Sequence, residues 1–220
     1  MVQRLVLLDL DDTLIDRRQA LAAVVTRFAD RHRLTAAERE GVLGRLGERA
    51  CLADFAALRE LHGLTVPAGA LWQQYAQDMA ESVLCPAGVL EGLEALRVRG
   101  WRIAIATNGP GDVQRAKLDA TGLAARVHAV CVSGELGFRK PDPRMFAAAA
   151  RSCGAHPGEG GWMVGDDPVK DIIGGRSAGL TTLWIGRAAD WPATLPAPDR
   201  IAPTALRAIR LLLALTPEEG

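Results

Sequence analysis

The sequence predicts an α/β fold, a doubly wound parallel sheet interrupted by an all-α helical insert. Three observations lead there. Apolar runs without alternation recur along the chain, as parallel strands covered on both faces require. Amphipathic helical stretches separate the later runs, giving the alternation of a doubly wound sheet. Between the first run and Pro86, residues 17–83 show helical periodicity and no convincing strand.

The first strand is expected in "RLVLLDL", residues 4–10. Four more follow in "WRIAIATNG" (101–109), "VHAVCVSG" (127–134), "GWMVGDD" (161–167) and "LTTLWIG" (180–186). The segments between and before them, "GVLEGLEALRVRG", "GDVQRAKLDATG", "DPRMFAAAARSCG" and "PVKDIIGGRSAG", read as helices, each closed by a glycine. In the insert, "RRQALAAVVTRFADRHRL" is one amphipathic helix and "TAAEREGVLGRLGERA" a second, with Thr35 and Glu38 spaced as a capping box. "LADFAALRELHGL" and "AGALWQQYAQDMAESV" supply two more. Gly41, Gly44 and Gly47 follow no strand, so their GxxGxxG spacing marks a loose helix and not a nucleotide loop. "AADWPATLPAPDR" (188–200) reads as a Pro-rich surface segment ahead of a short C-terminal helix. The first strand and the later units must share one sheet. Residues 1–14 and 86–220 are therefore expected to form the core domain, with residues 15–85 a cap over the strand's carboxyl end.

Composition narrows the function. Lys+Arg and Asp+Glu stand at 26 each, so no bulk field favours nucleic acid or an anionic membrane. Residues 15–85 are balanced as well, with nine basic and nine acidic side chains. Cys51, Cys85, Cys131 and Cys153 are scattered and form no CxxC pair, which argues for reduced thiols and against a disulfide framework or zinc site. No run approaches the ~18 apolar residues of a membrane span. The apolar stretch after Arg4 is short and ends in aspartates, so no leader is expected and the chain reads as cytoplasmic.

The chemistry gathers at strand ends, where open α/β sheets bind ligands. Asp9 and Asp11 follow the first strand, Thr107 and Asn108 the second. Lys140 comes shortly after the third, and Asp166, Asp167 and Asp171 follow the fourth. Each alone has an ordinary explanation as a turn or cap. Together they bring carboxylates from different strands into an oxygen-rich pocket that suits Mg²⁺, and the cation lets them coexist. A hydroxyl, an amide and an ammonium beside it suit a phosphoryl group. Lys140 is one of three lysines in a chain with 23 arginines, and a compact point charge is where lysine differs from arginine.

At this point the chain resembles the haloacid dehalogenase (HAD) superfamily, and within it the phosphoglycolate phosphatase-like group. Asp9-Leu10-Asp11-Asp12-Thr13 is similar to the first motif, DxDx[T/V]. Thr107 matches the second motif, Lys140 the third, and "GDDPVKD" (165–171) the fourth. The helical insert lies where that family places its cap. The resemblance implies a Mg²⁺-dependent phosphatase acting on a small phosphorylated metabolite, as a monomer or homodimer. Asp9 would attack phosphorus and Asp11 would serve as acid, then base. Thr107, Lys140 and the backbone around Asn108 would bind the phosphoryl group. Asp9, the Asp11 carbonyl and Asp166 would ligate the metal, and Asp171 would orient metal waters or Lys140. Asp167 and Asp12 would be supporting or structural. Two catalytic carboxylates with opposite protonation states explain the acidic cluster on an apolar strand.

Other readings are weaker. A dehalogenase or phosphonatase would not need the acid at Asp11. A sugar-phosphate mutase shares the core residues and differs mainly in the cap. A non-catalytic phospho-accepting domain would have no helical insert, and a regulatory protein with a spent site would have lost a nucleophile or ligand. Arg17 and Arg18, just past the hinge, could meet an anionic substrate, but a solvated first helical turn explains them as well.

Overall fold

The structure is a computed structural model that describes residues 4–215. The chain divides into two compact units. One runs up to Ile15 and includes Cys85–Gly111 and the residues from Gly122 onward; the other comprises Asp16–Leu84 and Asp112–Thr121. The strands are β1 (Leu5–Leu8), β2 (Arg102–Thr107), β3 (Ala129–Val132), β4 (Trp162–Gly165), β5 (Thr181–Ile185) and β6 (Arg200–Ala202). The helices in the first half are α1 (Arg17–His32), α2 (Ala36–Leu46), α3 (Leu52–Leu61), α4 (Ala68–Ser82), α5 (Ala87–Val98) and α6 (Gly111–Thr121). Those in the second half are α7 (Ser133–Leu136), α8 (Pro143–Ser152), α9 (Gly174–Ser177) and α10 (Ala205–Ala214).

In the first unit all six strands lie in one parallel sheet, ordered β3-β2-β1-β4-β5-β6. β1 is central and every one of its side chains is buried. That is why its sequence is apolar without alternation. Leu5 and Leu7 join Ala104, Ala106, Met145 and Phe146 in a closed core, so the buried stripe of α8 seals one face of the sheet. The strand order reverses at β1, with β2 on one side and β4 on the other. Such a reversal opens a crevice at the carboxyl ends of the strands.

The second unit is helical. Asp16 caps α1 by accepting from the Gln19 amide at 2.8 Å. Thr35 and Glu38 form the expected capping box at the start of α2. Phe55 of α3 is fully buried and meets Phe28, Trp72 and Tyr75 at ring separations of 6.3, 5.6 and 5.2 Å. The Trp72 indole donates to Asp112 at 2.5 Å, which ties the 112–121 helix into this unit.

The structure differs from the sequence expectation at three places. α2 ends at Leu46 although its periodicity runs on, and the Arg17 guanidinium satisfies the Leu46 and Gly47 carbonyls there at 3.1 and 2.7 Å. Residues Pro168–Ile173 wind as a π-helix and only Gly174–Ser177 continue as α. The Pro-rich segment ends in a short strand, β6, paired in parallel to β5. All four cysteines are free thiols. Among the described residues no helix is long and apolar enough to cross a membrane.

Candidate active site

The site grows from the end of β1. Asp9 follows the last β1 residue, and its amide bonds to the Val164 carbonyl of β4 at 2.9 Å. That bond places Asp9 at the strand-order reversal. The chain must then turn at once. Asp12 adopts a left-handed conformation (φ 59°), which aspartate tolerates better than most residues. A bridge between Asp11 and Ile15 closes the turn. Asp11 is left half-buried, two residues beyond Asp9.

Lys140 sits between two carboxylates. Its Nζ lies 2.5 Å from Asp9 Oδ1 and 2.7 Å from Asp171 Oδ1, with all three side chains almost wholly buried. Asp166 completes the group: carboxylate oxygens of Asp9, Asp166 and Asp171 all lie within 4.8 Å of one another. Thr107, at the end of β2, is buried.

Local chemistry explains each placement. Gly165 ends β4, and a Cβ there would lie 2.2 Å from Asp171 Oδ2, so only glycine lets that carboxylate approach the strand end. Asp171 Oδ2 accepts from the Asp167 amide at 3.1 Å, and the Asp171 amide donates to the Asp167 carbonyl at 3.0 Å. The Asp167 carboxylate caps the π-helix, accepting from the Val169 and Lys170 amides at 3.0 and 2.8 Å and pairing with Lys170 Nζ at 2.5 Å. Its chemistry is thus that of a cap. The Asn108 amide group holds the main chain of Lys140: Nδ2 donates to the Lys140 carbonyl at 3.0 Å and Oδ1 accepts from its amide at 2.9 Å. The Asn108 side chain is thereby committed to placing Lys140, leaving its backbone for any phosphate contact.

Electrostatics follows from the count of charges. Burial pushes the Asp9 carboxyl well above its usual range; Lys140 pulls it down, and Asp171 and Asp166 push it up again. Asp171 is also raised, by burial first, with Lys140 opposing. Burial alone would lower Lys140, but the charges of Asp171 and Asp9 outweigh it and hold the ammonium protonated. Lys140 lies between Asp9 and Asp171 with Asp166 close by, and carboxylates gathered this tightly in a largely buried place suit a cation. The donors are oxygens, and no Cys or His belongs to the group. That set fits Mg²⁺ and is a poor one for zinc.

Two contributors escaped the sequence reading. The Thr13 hydroxyl donates to Asp9 Oδ2 at 3.3 Å and lies 3.5 Å from Asp166 Oδ1, joining the two acidic strand ends. Buried Ser133 accepts from the Gly109 amide at 3.0 Å, and the Gly134 amide donates to the Gly109 carbonyl at 3.0 Å, fixing the loop after β2. Thr13 was within sight as part of the first motif. Ser133 carried no local signal. Arg17 spends its guanidinium on α2 carbonyls.

A family model for haloacid dehalogenase-like hydrolases matches residues 3–179. The chain belongs to that family. Among curated proteins it is 40% identical over 131 residues to a phosphoserine phosphatase of Thermus thermophilus, covering 60% of this chain and 52% of that protein. It is 34% identical over 122 residues to the pyrimidine 5'-nucleotidase YjjG of Escherichia coli, covering 56% of this chain and 54% of that one. The chain therefore spans about half the length of the curated relatives it matches. Among solved structures, a HAD phosphatase from Thermococcus onnurineus superposes with a TM-score of 0.72 at 26% identity, covering 96% of this chain and 98% of the other. The family inferred from the four ordered motifs is the family found.

Proposed function

We propose that this chain is a Mg²⁺-dependent phosphatase hydrolysing a small phosphate monoester through an aspartyl-phosphate on Asp9. The observation that carries the reading is the Lys140 ammonium held between Asp9 and Asp171, with Asp166 alongside. A carboxylate gripped by one ammonium and crowded by two further carboxylates is placed for a cation and an anionic substrate.

Asp9, Asp166 and the Asp11 carbonyl would hold Mg²⁺, with Asp171 beside them. When bound, the ion would offset the carboxylates and polarise the phosphoryl oxygens. Asp9 attacks phosphorus in line, forming a new P–O bond as the bond to the leaving oxygen breaks. Asp11 gives its proton to that oxygen. Asp11 then takes a proton from a water that attacks phosphorus, freeing phosphate and restoring Asp9. Thr107 and the backbone at Asn108 hold the transferring group, and Lys140 offsets its charge.

Residues 15–85 would serve as a cap that sets specificity, on a core of residues 1–14 and 86–220. The chain would act in the cytoplasm, as a monomer or homodimer. The printed activities of the relatives point to phosphomonoesters such as phosphoserine and pyrimidine nucleotides as first substrates to try. The test is a steady-state assay of an aryl phosphate and a panel of phosphorylated metabolites, with Mg²⁺ and with chelator. Turnover that vanishes with chelator and returns with Mg²⁺ is expected. Equal turnover in both would defeat the reading.

A further inference from the structure

The carboxylates described above need a rigid frame, and Asp166 is only half-buried, on the loop that leaves β4. Its main chain is held from the neighbouring strand. Trp184 on β5 stands in register with Gly165 of β4, and its indole Nε1 donates to the Asp166 carbonyl at 2.7 Å. The indole itself is confined. Trp184 is 5% exposed, and Trp191 meets it edge-on with ring centroids 5.0 Å apart at 73°. On another side the chain passes as Gly186, where a Cβ would fall 2.4 Å from the ring. Trp191 is in turn tied back by its own indole, which donates to the Leu195 carbonyl at 3.3 Å. The loop between β5 and β6, whose sequence reads only as a Pro-rich surface segment, thus braces an indole whose single donor is spent on the Asp166 peptide.

We infer that Trp184 is a positioning residue for the metal site: it fixes the Asp166 peptide, and through it the direction in which the Asp166 carboxylate faces Asp9. The inference rests on the proposed Mg²⁺ site and extends it to a residue that lies outside the four motifs. Removing the indole N–H takes away the bond that ties the Asp166 carbonyl to β5. The peptide is then freer to rotate and the carboxylate to swing away from its neighbours. Groups that orient a metal ligand typically govern metal affinity by tenfold or more. The ring alone cannot substitute, because its apolar packing holds β5 and the loop but not the peptide.

Calorimetric titration of Mg²⁺ into the unaltered protein and into Trp184→Phe tests this. Phenylalanine keeps an aromatic ring against Trp191 and removes the donor. The Mg²⁺ dissociation constant is expected to rise roughly tenfold. A folded variant that binds Mg²⁺ as tightly as the parent, even with a lowered melting temperature, would overturn the inference, since that is what a purely structural tryptophan gives. A parent that binds no Mg²⁺ would overturn the metal site itself, which keeps the two failures apart. Should the variant not fold, the unaltered protein with ¹⁵N-labelled indoles decides. The assigned Trp184 N–H should be protected from solvent exchange and shift in step with the Mg²⁺ titration. A freely exchanging signal indifferent to Mg²⁺ would contradict it.

Discussion

Each unit buries a carboxylate against basic side chains, and the two arrangements differ in one respect that matters. In the helical unit Asp78 of α4 is 3% exposed. Arg31 of α1 grips it with two nitrogens, at 3.1 and 3.3 Å, and Gln74 donates to it at 3.1 Å. Arg27 reaches the Asp78 carbonyl at 2.8 Å and approaches its carboxylate at 3.9 Å. One anion meets two cations and an amide, and α1 is bonded to α4. In the sheet unit one ammonium lies between Asp9 and Asp171, and a third carboxylate, Asp166, has an oxygen within 4.8 Å of oxygens of both. One buried anion bonded by two cations and an amide is a joint; three carboxylates gathered beside one ammonium suit a cation. The ratio of carboxylates to cations, and not burial or the presence of an ion pair, separates the structural cluster from the one proposed to react.

This contrast can be broken by mutation, and the largest effect belongs to the site. Asp9→Asn keeps the shape and removes the nucleophile. Turnover of an aryl phosphate should fall by more than ~10³-fold, about 4 kcal/mol of barrier, with the melting temperature held or raised as a crowding charge is lost. Asp78→Ala should do the reverse. Leaving two guanidiniums without their anion should destabilise by about 2–4 kcal/mol in denaturant unfolding, short of the fully buried case because the Arg27 and Arg31 side chains are 41% and 39% exposed. Metal affinity should be unchanged.

The middle case is Asn108, whose side chain bonds the Lys140 main chain and so places a charge. Asn108→Ala removes both bonds to the Lys140 main chain. A stability loss of about 1–3 kcal/mol is expected, with a raised KM for the phosphate ester as Lys140 loosens. A variant that lost stability with KM unmoved would show that Asn108 supports the loop and not the site. The smallest effect belongs to the exposed capping box. Thr35→Ala should cost about 1 kcal/mol of stability and leave turnover untouched.

These expectations draw on what the sequence made legible and what it hid. β1 to β5 could be read because a parallel strand buried on both faces must be an apolar run, and Leu5–Leu8 and Ile103–Ala106 are wholly enclosed. β6 could not: it has three residues, begins with exposed Arg200 and sits at the sheet edge, where no apolar pattern is imposed. The GDDPVKD spacing pointed to Asp171 and left Asp167 ambiguous, and the π-helix that presents Asp171 has no periodic signature of its own. Asn108 and Lys140 are 32 residues apart, and Trp184 is 18 from Asp166. Such clamps are set by which strands become neighbours, so they appear only when the sheet is assembled. Residues proposed to react were marked by charge on an apolar background; those that hold them were not marked at all.

The account stands or falls on Asp9 carrying the phosphoryl group. The protein, loaded with Mg²⁺ and mixed with an aryl phosphate, can be quenched in acid during turnover and treated with borohydride, which reduces an acyl phosphate to the alcohol. Peptide mass spectrometry should then find homoserine at position 9, absent when substrate is omitted and absent in Asp9→Asn. Rapid turnover with no modification at Asp9, or with the modification on Asp11, Asp166 or Asp171 instead, would contradict it.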